Sequence, residues 1–248
     1  DCIKSGWISS QGKYLKLFEN EFGKIHNNSN CLAVSNGTSA IHLALIALGI
    51  KKGDEVIVPD ITFAAVINSV IHAGATPIIC SVNKESWCID FDNFQKYVSK
   101  KTRAVIPVHL YGYPVNLSKV WDYCKKNNIF VIEDCAEALG SRYNNFPVGT
   151  KYCHASTFSF FGNKTITTGE GGMIIFKNKK YLNKAKILRD HGMSVAKKYY
   201  HNVVGFNYRM TSLQAAVGVA QISKLNAFVA YKVHIYNTYK HYLSDCKH

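Results

Sequence analysis

No two of the eight cysteines form a C-x-x-C pair: Cys2, Cys31, Cys80, Cys88, Cys124, Cys135, Cys153 and Cys246 stand singly. No histidine cluster completes a ligand set beside them, so the expectation is no metal and a set of reduced, mostly buried thiols. Cys135 follows two carboxylates, which raise a thiol pKa and argue against a reactive thiolate. No apolar run is long enough to cross a bilayer; the longest, Ile41 to Ile50, is interrupted by His42. Nothing resembles a secretory leader, and the expectation is a soluble, cytoplasmic protein with no membrane partner. Neither G-x-G-x-x-G nor G-x-x-x-x-G-K-[ST] follows an apolar strand, which removes the common nucleotide-binding fingerprints. Internal repeats, low-complexity tracts and Pro/Ser-rich linkers are also missing.

Acidic residues are scarce, 16 against 30 Lys and Arg, for a net charge of +14. That excess suits a polyanion or a phosphorylated substrate. The lysines come in short dispersed pairs, Lys51-Lys52, Lys100-Lys101, Lys125-Lys126, Lys179-Lys180 and Lys197-Lys198, as on a solvated surface. No zinc finger, basic zipper or stacked-aromatic signature accompanies them, so no specific nucleic-acid partner is expected. What is plentiful is apolar residue, 47% of 248, enough for one large domain or a domain with a small appendage.

Leu15, Phe18, Phe22 and Ile25 recur at helical spacing behind Ser9-Ser10, which reads as a cap. Seven short apolar runs follow: Cys31–Ser35, Glu55–Pro59, Thr76–Val82, Ala104–His109, Ile129–Glu133, Thr157–Phe161 and Met173–Phe176. They are separated by helix-length segments and alternate poorly, as strands covered on both faces do. The predicted fold is α/β, a mostly parallel seven-stranded sheet sandwiched by helices. Closing helices run from about Thr211 to Leu243, with a break near Asn226.

Ligands bind such sheets beyond the carboxyl ends of the strands, and four strand-to-turn junctions carry suitable residues. At the first, Ser35-Asn36-Gly37-Thr38-Ser39 opens a helix, either as a phosphate cradle of amides and hydroxyls or as an ordinary cap. At the second, Phe63 either lies flat on a planar ligand or belongs to the core. At the third, strand alternation sends Glu133 and Asp134 to opposite faces. Asp134 either holds a pyridine nitrogen protonated or caps the segment after it. At the fourth, Ser159 and Lys164 put a hydroxyl and an amine at one edge, where an apolar strand breaks into a polar, glycine-rich turn. There Lys164 is either a solvated loop residue or an amine stripped of water and made nucleophilic toward a carbonyl.

These junctions, together with Ser5-Gly6-Trp7-Ile8-Ser9-Ser10, Gly53-Asp54-Glu55-Val56-Ile57-Val58-Pro59 and Phe206-Asn207-Tyr208-Arg209-Met210, resemble the DegT/StrS-type nucleotide-sugar aminotransferases. The resemblance implies the large domain of a fold type I transferase dependent on pyridoxal 5'-phosphate. It implies Lys164 as the catalytic, cofactor-bearing lysine, Asp134 as the partner of the pyridine nitrogen, and Gly37, Thr38, Ser39 and Ser159 around the phosphate. Phe63 matches the stacking ring and Glu137 a cofactor-facing position, where glutamate resembles enzymes acting at sugar C4. Asn207 matches a residue reaching the neighbouring subunit's phosphate, which implies a homodimer; Arg209 either contacts substrate or braces its loop. The implied reaction moves the amino group of glutamate to a nucleotide-diphosphate 4-keto-6-deoxy sugar. The alternatives are amination at C3, or a truncated, inactive module that binds the cofactor or a partner. Family members continue into a smaller C-terminal domain, so residues 1–228 are expected to form the cofactor domain and 229–248 the start of an incomplete second one.

Overall fold

The computed structural model describes residues 1–246. The chain opens with a helical turn α1 (Cys2–Ser5) and the helix α2 (Lys13–His26). It then alternates through β1 (Cys31–Val34), α3 (Gly37–Leu48), β2 (Glu55–Pro59), α4 (Ala65–His72), β3 (Thr76–Cys80), α5 (Phe91–Phe94), β4 (Thr102–Val105), α6 (Leu117–Lys126) and β5 (Phe130–Asp134). A small hairpin, β6 (Arg142–Tyr143) and β7 (Phe146–Pro147), precedes β8 (Ala155–Ser159) and β9 (Gly172–Phe176). The helices α7 (Lys179–Arg189), α8 (Ser212–Ile222) and α9 (Leu225–Tyr242) follow.

Seven strands form one sheet in the order β1-β9-β8-β5-β4-β2-β3. Only β9 runs against its neighbours, β1 and β8; every other pair is parallel. Alternation along the central strands supplies a core to each face. Val56, Val58, Ala104, Ile106 and Ile132 pack toward α3 and α4, whereas Ile57, Val105 and Val131 pack toward Phe94 of α5 and Val120 and Trp121 of α6. Further along the sheet, Phe158, Phe160 and Met173 meet Phe18 and Phe22 of α2 and Ala215 of α8. Helix α3 is buried nearly all round, which explains its almost unbroken apolar sequence.

All seven apolar runs are strands; Glu55–Pro59 keeps both its ends and the other six shift at one end or both. The sixth begins and ends two residues earlier than expected, at Ala155–Ser159, although the Phe160 N–H still donates to Gly171 O and extends the antiparallel pairing with β9 by one residue. Helix α2 is capped at Gly12, not at Ser9-Ser10. Ser9 is spent on tertiary contact, its carbonyl accepting the Ser212 N–H. The closing helices break at Ser223-Lys224, close to the expected point. All eight cysteines are free, seven of them buried. Burial, and then Glu133, pushes the Cys135 thiol well up, so it is inert as read.

Candidate active site

A cavity of about 460 Å³ opens beyond the carboxyl ends of β1, β2, β5 and β8. Its wall carries Gly37, Thr38, Phe63, Asp134, Glu137, Ser159 and Lys164, seven of the residues expected from sequence.

Asn36 caps α3: its side chain accepts the Ser39 N–H at 2.8 Å, and the Ser39 hydroxyl accepts the Asn36 N–H at 3.2 Å. That box occupies Ser39, which is buried and absent from the cavity wall. Among the described residues, the N–H groups of Gly37 and Thr38 have no acceptor, so the helix start presents two free donors and the positive end of its dipole. Gly37 is required by proximity, since a Cβ there would lie 2.9 Å from Cβ of Ser159. The two junctions therefore lie in close contact at the cavity wall. The capping reading of the first junction holds for Asn36 and Ser39, while Asn36, Gly37 and Thr38 line the cavity.

Asp134 ends β5 on the face toward α3 and is 5% exposed. Burial is the main influence on its carboxyl, lifting it to about 6 against the Ala136 N–H, His109 and Lys164, which favour the charged form. Ala136 N–H donates to Asp134 Oδ1 at 3.0 Å, so Asp134 caps the next turn and still lines the cavity. Glu133 points the other way, as the alternation requires.

Lys164 leaves the turn after β8, its N–H donating to Phe161 O. Its ammonium lies 3.4 Å from Glu137 Oε1, and its side chain is 20% exposed. It is not a solvated loop lysine. The other oxygen of Glu137 accepts the Tyr111 N–H at 2.8 Å. Phe63 is 79% exposed at the mouth, which removes the core reading and leaves a ring free to cover a planar ligand.

Asn207 and Arg209 are not on the wall. Asn207 is exposed and its Oδ1 accepts the Arg209 Nε–H at 2.9 Å, while Arg209 Nη1 lies 3.0 Å from Asp190 Oδ1. Within this chain Arg209 braces its loop. Sequence reasoning missed Thr62, whose buried hydroxyl has no partner among the described residues, and Thr157 and Glu170, all on the wall. Thr62 and Thr157 adjoin junctions already singled out, whereas Glu170 lies just before β9.

The model of the DegT/DnrJ/EryC1/StrS aminotransferase family matches residues 1–248. The chain is 45% identical over 240 residues to a GDP-perosamine synthase of Escherichia coli O157:H7, covering 97% of this chain and 66% of that protein. It is 44% identical to the Vibrio cholerae GDP-perosamine synthase, covering 97% and 65%. It thus spans just under two thirds of the length of these relatives. Among solved structures, S. venezuelae DesV superposes with a TM-score of 0.94 at 30% identity, covering 99% of this chain and 65% of that one. NtdA of Bacillus subtilis, solved with bound cofactor PMP, gives 0.92 at 30% identity, covering 98% and 55%. With its cavity built at the expected strand ends and the family model matched from end to end, the chain belongs to the DegT/DnrJ/EryC1/StrS aminotransferase family.

Proposed function

We propose that this chain carries the cofactor site of an aminotransferase that uses pyridoxal 5'-phosphate to move the amino group of glutamate to C4 of a nucleotide-diphosphate 4-keto-6-deoxy sugar. The observation that carries the reading is the convergence of Lys164, Asp134 and the two free amide donors of α3 on one cavity. The relatives named GDP-perosamine synthases supply the substrate class.

The residues fit that cofactor. Gly37 and Thr38 N–H with Ser159 would hold the phosphate, Phe63 would cover the ring, and the unpartnered Thr62 hydroxyl offers one further donor or acceptor. Asp134, driven toward neutrality by burial, regains its charge against a cationic ring nitrogen and so keeps a proton on that nitrogen. When bound, pyridoxal phosphate supplies the electron sink for a carbanion at the amino-acid Cα. Lys164 Nζ is the base that takes and returns the Cα proton, with Glu137 Oε1 beside it to steady the ammonium form. Glutamate at position 137 supports C4 over C3. The exposed Asn207 supports a homodimer in which each copy reaches its partner's phosphate. Eight unpaired cysteines support a reducing, cytoplasmic setting. Residues 1–228 form the cofactor domain on this reading, and 229–248 begin a second region. In support, Phe228 and Val229 are the last side chains packed on the core, and residues 230–246 are all exposed.

The test is incubation with pyridoxal phosphate, glutamate and a panel of nucleotide-linked 4-keto-6-deoxy and 3-keto-6-deoxy hexoses, read by mass spectrometry. A 4-amino sugar with matching 2-oxoglutarate is the expected product. Amination of the 3-keto sugars alone, or of none while glutamate is still consumed, would overturn the assignment.

A further inference from the structure

Behind the cavity wall, Glu133 and His109 form a pair whose side chains are 1% and 0% exposed, with His109 Nε2 2.9 Å from Glu133 Oε2. The same Glu133 oxygen accepts the Gly149 N–H at 2.6 Å, and Oε1 has no hydrogen-bond partner among the described residues. Burying a carboxylate with one oxygen unpaired is costly, and such a group persists where it fixes one arrangement among several. The arrangement fixed here is the proton on His109. Val115 N–H donates to His109 Nδ1 at 3.0 Å, which requires a bare Nδ1 and leaves the proton on Nε2, from which it is donated in a hydrogen bond to Glu133 Oε2.

The consequence reaches the cavity along the backbone. His109 and Val115 bracket one turn, closed by the imidazole between them and by the Gly112 N–H on His109 O. At its tip Tyr111 adopts the left-handed conformation, φ 50° and ψ 23°, which a bulky side chain adopts only under constraint. That conformation aims the Tyr111 N–H at Glu137, whose other oxygen meets Lys164. We infer that Glu133 and His109 are positioning residues for Lys164: Glu133 selects the Nε2–H tautomer of His109, which closes the turn that holds Glu137 against the lysine. The inference rests on the proposed role of Lys164.

The test has two parts. In cofactor-free protein, nitrogen NMR of His109 should show Nε2 protonated and Nδ1 bare; an Nδ1–H or doubly protonated ring would overturn the inference even if every variant failed to fold. Glu133→Gln keeps an acceptor for both N–H groups, whereas Glu133→Leu removes it. With pyridoxal phosphate loaded, the Lys164-dependent absorption band of Glu133→Gln should titrate as in wild type and discharge with glutamate at the wild-type rate. In Glu133→Leu the titration should shift and the discharge slow by about tenfold, the order expected for one buried hydrogen bond. A merely structural pair would lower the melting temperature of Glu133→Leu and leave its titration and discharge unchanged, which would sink the inference. If wild type forms no Lys164-dependent band, the role proposed for Lys164 fails instead.

Discussion

Glu133 and Asp134 are neighbours in one strand, nearly equally buried, and put to opposite uses. The strand's alternation sends Glu133 into the protein, where two N–H groups converge on one oxygen. It sends Asp134 into a cavity with one amide donor and a lysine nearby, and there burial leaves the carboxyl at about 6. Two N–H groups of the fold hold Glu133 Oε2, while Asp134 faces an open cavity with its carboxyl raised by burial, the pattern expected of a group kept for a ligand.

The largest effect that would break this comparison comes from Asp134→Asn. Glutamate-driven conversion of the bound cofactor should fall by roughly 10²–10⁴-fold. The cofactor-free protein should nevertheless become more stable near pH 7. Asp134 has a folded-state pKa above its unfolded value, so its stabilising contribution is full below about 3.8 and is lost as pH rises through about 6. Asparagine, which still accepts the Ala136 N–H, removes that loss, worth roughly 3 kcal/mol at most. Denaturant midpoints from pH 4 to 8 should show the variant's advantage growing with pH. An equal or lower midpoint at pH 7 would contradict the account of Asp134.

Gly37→Ala should come next. Its Cβ would meet Cβ of Ser159 at 2.9 Å, forcing apart the two edges of the phosphate cradle. The expected cost is about 1–3 kcal/mol, seen both in thermal unfolding and in weaker cofactor binding; wild-type values in both would show that the cradle tolerates more space.

Phe63→Ala should do least. A ring 79% exposed contributes little to the fold, so stability should change by no more than about 0.5 kcal/mol. Cofactor affinity should weaken by about 0.5–1.5 kcal/mol if the ring stacks. Calorimetric titration with pyridoxal phosphate separates the two, and an unchanged affinity would remove Phe63 from the site.

Much of this architecture was readable because it is written locally. Strands buried on both faces appear as apolar runs, and the residues just after them, Gly37, Thr38, Phe63, Asp134, Ser159 and Lys164, fall at one edge because the strands carrying those junctions are parallel. What failed to show was set by contacts distant in sequence. Ser39 differs from Thr38 only in facing its own cap, a matter of helix phase. The Glu133–His109 pair joins positions 24 apart, and no spacing announces it. Asn207 and Arg209 stand in a recognisable motif, yet their loop is pinned to Asp190 and His191 away from the cavity.

The most direct measurement is the absorbance of the purified protein with pyridoxal phosphate, before and after glutamate, beside Lys164→Ala. A band that needs Lys164 and is discharged by glutamate is the predicted result. A spectrum identical in wild type and Lys164→Ala would contradict the central claim that this lysine, held between β8 and Glu137, is the reactive group of the cavity.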